Sequence, residues 1–151
     1  MKSMIVYASH HHGNTEKLVK GLAEKYDIDL IDAEKATEIN YDEYDIIGFA
    51  SGVDFGKFYA PVTDFAEKLP AEKNIYAIYT CGQDNAKYGG QIQEISQKSN
   101  CKFLGKYGCK GYDTYGPWKI IGGINKVHPN QDDIDKACAF YENILKTAEN
   151  K

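Results

Sequence analysis

Three apolar runs, residues 4–8, 46–50 and 75–79, each give way to a polar or glycine-containing stretch and then to an amphipathic helical pattern. A strand that is apolar at successive positions shows a hydrophobic surface on both sides of its pleat, so each run needs a covering layer above and below. Alternation of such strands with helices predicts βαβ units, a parallel sheet and an α/β fold. Two weaker strands complete the pattern: a short one around residues 28–31, and one around 102–107 whose alternating lysines mark a sheet edge. Helices are predicted from the spacing of Leu18, Val19, Leu22, Ala23 and Tyr26, from Ala60-Pro61 to a stop at Pro70, and around Tyr88, Ile92 and Ile95. The closing helix follows Pro129, with Asn130 as its cap and Ile134, Ala137, Cys138, Tyr141, Leu145 and Ala148 inward.

The first junction is the most chemically informative. Residues 9–15 read Ser-His-His-His-Gly-Asn-Thr and lead from a buried strand into a helix start. Helix N-termini carry unpaired N–H groups and the positive end of the macrodipole, so such a loop is suited to an anion of phosphate size. Gly13 lets backbone approach a ligand, while Ser9, Asn14 and Thr15 offer short side chains for phosphate oxygens or for capping. No Lys or Arg lies in the loop.

Composition narrows the classes. With 151 residues and 42% hydrophobic content the chain suits a single domain spanning 1–151. Its 18 basic residues are all lysines dispersed along the sequence, and the net charge is −4, which disfavours nucleic-acid binding. No run approaches the roughly 20 apolar residues of a membrane span and no signal-peptide pattern opens the chain, so the expected location is the cytoplasm. Cys81, Cys101, Cys109 and Cys138 form no C-x-x-C pair, consistent with a reduced set and no metal centre. Three consecutive histidines cannot all face one ion, so His10, His11 and His12 are not read as metal ligands.

Gly13-Asn14-Thr15 reproduces the end of the (S/T)-x-T-G-N-T loop that wraps the FMN phosphate in flavodoxins, and Cys81-Gly82 matches the start of their C-G-D-x-x-Y motif. The sequence therefore resembles the flavodoxin family. The first loop is one residue longer than the common pattern, and His12 stands where a Thr hydroxyl is expected; an imidazole N–H can still donate to phosphate. In the second motif Gln83 replaces Asp, and Ala86 falls where the stacking Tyr would be, with Tyr88 two residues later.

The resemblance implies a doubly wound five-stranded sheet of order 2-1-3-4-5 in three α/β/α layers, with ligands bound beyond the carboxyl ends of the strands. It also implies FMN as cofactor. The expected phosphate contacts are Ser9, His11, His12, Gly13, Asn14 and Thr15. The loop after strand three, Ser51, Gly52, Val53, Asp54, Phe55 and Gly56, would supply a ring-covering side chain, Phe55 or Val53, and a peptide for flavin N5. Cys81, Gly82 and Tyr88 would border the flavin from the loop after strand four. Phe58 and Tyr59 read as core.

No protein acid or base is required, because FMN carries the chemistry. An electron carrier acting with redox partners, as monomer or homodimer, and an NAD(P)H-dependent flavin or quinone reductase both stay open. A phosphoacceptor receiver domain would need acids at the ends of strands one and three, where Ala8-Ser9 and Ala50-Ser51 stand; a flavin-free binding module is the remaining class. Residues 111–130 lack periodicity and read as a functional or lid-like loop, in which Tyr112, Tyr115 and Trp118 could border the ligand or a partner while Ile120 and Ile121 cover the core.

Overall fold

Strand β1 (Ser3–Ala8) is buried along its whole length and sits between β2 (Ile28–Asp32) and β3 (Ile46–Asp54), parallel to both. This computed structural model describes residues 1–10, 12–114 and 116–150. Beyond β3 come β5 (Asn74–Cys81) and, at the far edge, β6 (Lys102–Lys110), giving the order β2-β1-β3-β5-β6 with β4 (Lys57–Phe58) attached only to the end of β3. Leaving out the two-residue β4, this is the flavodoxin order.

Period-2 alternation explains why the central strands are apolar throughout. Met4, Val6, Phe49, Ile75 and Ala77 enter one core, and Ile5, Tyr7, Ile46, Tyr76 and Ile78 enter the other. Helices α2 (Ala60–Ala66) and α3 (Gly90–Lys98) close the first core with Val62, Phe65, Ile92 and Ile95. Helices α1 (Asn14–Lys25) and α4 (Gln131–Glu149) close the second with Leu18, Val19, Leu22, Ala137, Tyr141 and Ile144. Asn130 caps α4 in a capping box: its side chain accepts from the Asp133 amide at 3.0 Å, and Asp133 accepts from the Asn130 amide at 2.8 Å. The connection from β2 to β3 holds only a short 3₁₀ turn at Tyr41–Glu43.

Tyr88, expected on the third helix, precedes it, and two longer segments also differ from expectation. Residues 51–54, expected as loop, continue β3 and turn back through Phe55-Gly56 into β4, with Val53 opposite Phe58 and Asp54 opposite Lys57. Both turn residues have positive φ, 51° and 77°, the type I′ geometry that matches strand twist. The second difference lies beyond β6. Ile120 and Ile121 do not cover the core but are 88% and 65% exposed, because reciprocal bonds between Asp113 and Ile124, 3.0 and 2.8 Å, fold the segment into an outward arm. Trp118 on that arm is half-buried, and Tyr115 lies outside the described residues.

Candidate functional site

The chain steps from β1 outward to β2 and then back to β3, so the strand order reverses at the carboxyl ends of β1 and β3. A cleft of about 110 Å³ opens there. Its first wall is the loop after β1, where His12 and Gly13 take left-handed φ of 55° and 66° and turn the backbone into α1. A Cβ on Gly13 would meet nothing within 4 Å, so this backbone faces open space. Ser9 Oγ accepts from the Glu16 amide at 3.1 Å and the Gly13 carbonyl accepts from Lys17 at 2.9 Å. The amides of Asn14 and Thr15 are then those of the first turn that an anion would meet. Thr15 is buried, its hydroxyl 2.8 Å from that of Thr80 at the end of β5.

The opposite wall is the β3–β4 hairpin, whose Gly52, Val53, Asp54 and Phe55 line the cleft. Phe55 is 86% exposed at the turn and takes no part in the core. Phe58 and Tyr59 are buried as expected, yet Tyr59 also lines the cleft. Its amide donates to Ser51 Oγ at 2.9 Å and its hydroxyl lies where a Cβ on Gly52 would be, 2.5 Å away. Ser51 itself is buried and donates to the Gly52 carbonyl at 2.6 Å, holding the hairpin base.

The floor and far rim come from the end of β5 and the segment beyond β6. Thr80, Cys81 and Gly82 meet Gly111, Tyr112 and Asp113. The contacts are close: the Gly111 amide donates to the Cys81 carbonyl at 2.9 Å, Asn125 Nδ2 donates to the Gly82 carbonyl at 2.8 Å, and Asn14 Nδ2 donates to the Tyr112 carbonyl at 2.9 Å. Burial, with Asp84 as a lesser contributor, pushes the Cys81 thiol up to about 12, so it is a neutral wall group rather than a nucleophile.

Of the residues expected from sequence, Ser9, Asn14, Thr15, Gly52, Val53, Asp54, Phe55, Cys81 and Gly82 share this cleft. His12 stands at its edge, 3.1 Å from Thr114 Oγ1 with its ring 4.0 Å from that of Tyr112. Gly56 completes the hairpin turn, and His11 lies outside the described residues. Tyr88 precedes α3 and is not among the lining residues; its ring meets that of Tyr79 edge-on at 5.7 Å and 89°. Gly111, Tyr112 and Asp113 come from the 111–130 segment expected to border the ligand, whereas His10 and Thr80 lie outside the expected set, Thr80 as a polar residue ending a buried strand.

A family model described as flavodoxin domain matches residues 4–117. An uncharacterized protein of Methanocaldococcus jannaschii is 38% identical over 97% of this chain and 99% of its own length. Among solved structures, a flavodoxin from the domain Archaea aligns over 99% of both chains with a TM-score of 0.69 at 16% identity. A flavoprotein of Lactobacillus acidophilus solved in complex with FMN aligns over 72% of this chain and 93% of its own, with a TM-score of 0.56 at 16% identity. Since the family match runs from β1 past the end of β6, across every strand that builds the cleft, the chain belongs to the flavodoxin family.

Proposed function

We propose that the cleft binds FMN and that the protein carries electrons between redox partners. The observation that carries this reading is the joining of a phosphate-sized loop at the α1 N-terminus to a hairpin that displays an aromatic ring at the same cleft. The FMN complex of a protein with this fold supports the mononucleotide. The described residues fit the group: hydroxyls and first-turn amides at one end suit a phosphate, and Gly52, Val53, Phe55 and Gly82 offer flat or apolar walls to a ring system. FMN supplies the electron chemistry; the chain binds, orients and shields it.

Purified protein, or apoprotein titrated with FMN, is expected to quench flavin fluorescence and shift the flavin absorption bands. Asn14→Ala combined with Thr15→Ala should weaken binding about 5- to 150-fold, from lost bonds to a charged group of about 1 to 3 kcal/mol. An unaltered dissociation constant would put the phosphate elsewhere.

Phe55 offers a second measurement. A left-handed Phe costs about 1 kcal/mol of backbone strain, and Asn suits a type I′ turn better. Phe55→Asn is expected to keep or raise apoprotein stability by up to about 1 kcal/mol while weakening FMN binding about tenfold. Unchanged affinity would remove the ring from the site.

The placement of Tyr88 favours a second reading. Because that ring packs on Tyr79 rather than lining the cleft, a flat acceptor would have room beside the flavin, as a reductase requires. Steady NAD(P)H consumption with a quinone by the FMN-loaded protein would favour the reductase over the carrier.

A further inference from the structure

His10 is a cleft residue that the family pattern does not account for. It lines the cleft beside Ser9 and Asn14, and its ring lies flat on that of Tyr59, with centroids 4.1 Å apart and planes 14° from parallel. Tyr59 is itself fixed at the hairpin base by Ser51 and Gly52, so the imidazole has a firm support. Its Nε2 is engaged by the Glu34 carboxylate, from the turn that follows β2. Glu34 is held in that turn by its own amide, which donates to Asp32 Oδ1 at 3.0 Å. With Nε2 occupied, Nδ1 is the ring nitrogen left to serve a ligand.

We infer that His10 and Glu34 form a charge-bearing pair that selects the phosphate monoester dianion of the bound flavin and makes its affinity fall as pH rises. This rests on the reading that the cleft holds FMN. Among the described residues no Lys or Arg lines the cleft, and its acidic lining groups are Asp54 and Asp113, each with contacts of its own. The only cationic form available to a lining residue is therefore imidazolium. In that form the ring donates from Nε2 to the Glu34 carboxylate. With His10 protonated the pair is neutral beside the dianion; with His10 neutral, Glu34 leaves a net negative charge there. Binding of the dianion thus takes up a proton, and affinity declines as pH rises through the imidazole range. The other ionisable groups around the pair are Tyr59 beneath the ring, Asp54 and Asp113, whose charges bear on Tyr59 as that of Glu34 does, Asp32 at the Glu34 amide, and His12 farther along the loop against Tyr112 and Thr114. Riboflavin lacks the phosphate, and a phosphodiester lacks the second charge, so neither should share the effect.

The test is the dissociation constant of FMN and of riboflavin, measured by fluorescence titration of the apoprotein between pH 6.5 and 8.5 at fixed ionic strength. Wild type, His10→Gln and Glu34→Gln are compared. FMN affinity of the wild type should fall about tenfold across that range while riboflavin affinity stays flat. His10→Gln should flatten the FMN profile, and Glu34→Gln, which leaves no carboxylate beside the phosphate, should bind FMN more tightly than the wild type at pH 8.5. A wild-type FMN profile as flat as that of riboflavin overturns the proposal. So does an undiminished slope in His10→Gln, which would assign the proton to another histidine. Failure of the wild type to bind FMN at any pH is a different result, and it overturns the FMN reading together with the pair's role in it.

Discussion

Gly48→Ala is expected to lower the melting temperature of the apoprotein by roughly 10 °C. Gly48 lies in the middle of β3, directly opposite Tyr76 of β5. A Cβ there would stand 2.4 Å from Tyr76 Cζ and 2.7 Å from its Cε2 and Oη. Tyr76 is fully buried, with Phe140 and Tyr141 of α4 packed around it at 6.0 and 5.9 Å between centroids. The ring has no free volume to enter, so the extra carbon must move either the ring together with α4 or the strand pair. Overpacking of this kind costs about 3 kcal/mol, and a domain of this size loses about 2 to 4 °C per kcal/mol. Tyr76→Leu should recover part of the loss in the double variant, because the two side chains contest one volume. As control, Gly90→Ala sits in the first turn of α3 with nothing within 4 Å of its added carbon. It should be neutral or stabilising by up to about 1 kcal/mol. Equal melting temperatures for Gly48→Ala and wild type would mean that Tyr76 is not confined as its contacts indicate.

That contact is also invisible in the sequence. The residues 46–50 run reveals a strand buried on both faces, and alternation along β1, β3 and β5 reveals the parallel sheet, because burial on two sides forces a continuous apolar pattern. Nothing in the run says that Gly48 is small to make room for Tyr76, a pairing set by register between strands almost 30 residues apart. The hairpin after β3 was hidden for a local reason. Ser51-Gly52-Val53-Asp54 has the composition of a loop, and Phe55-Gly56 lacks the Asn or Asp that usually signals a type I′ turn. Ile120 and Ile121 misled for the opposite reason: aliphatic residues predict burial on average, but the Asp113–Ile124 bridge turns them outward.

The cleft was legible in unequal parts. Residues 9–15 and 81–82 stand out because glycine and short polar residues at the ends of buried strands point to backbone that must approach something. Thr80 joins the cleft, and Glu34 meets His10, only through the sheet order, which brings together residues far apart in sequence. Tyr59 reads as core from its sequence and is buried, but one side of its ring supports His10 at the cleft. A single side chain can fill a core and shape a site, and periodicity registers only the first role.

Gly82→Val is expected to reduce FMN affinity about 100-fold, close to 2.7 kcal/mol, while changing apoprotein stability much less. The reason is a contact pinned from both sides. A Cβ on Gly82 would lie 2.0 Å from Asp113 Oδ2 and 3.0 Å from its Cγ. The Asp113 backbone is held by its two bonds to Ile124, and the Gly82 carbonyl is held by Asn125 Nδ2 at 2.8 Å. The backbone on both sides is held, so the added branch either swings the Asp113 carboxylate aside about its own side-chain bonds or forces the Gly82 peptide away from Asn125, and either change alters a wall of the cleft. Because this contact is at the rim and not between the two cores, most of the cost should fall on the ligand and little on the fold. Asp113→Ala introduced beside Gly82→Ala removes the obstructing carboxylate, and its affinity should exceed that of Gly82→Ala alone. Wild-type affinity in Gly82→Val, measured by the same fluorescence titration, would show that the flavin does not bind against the loop after β5.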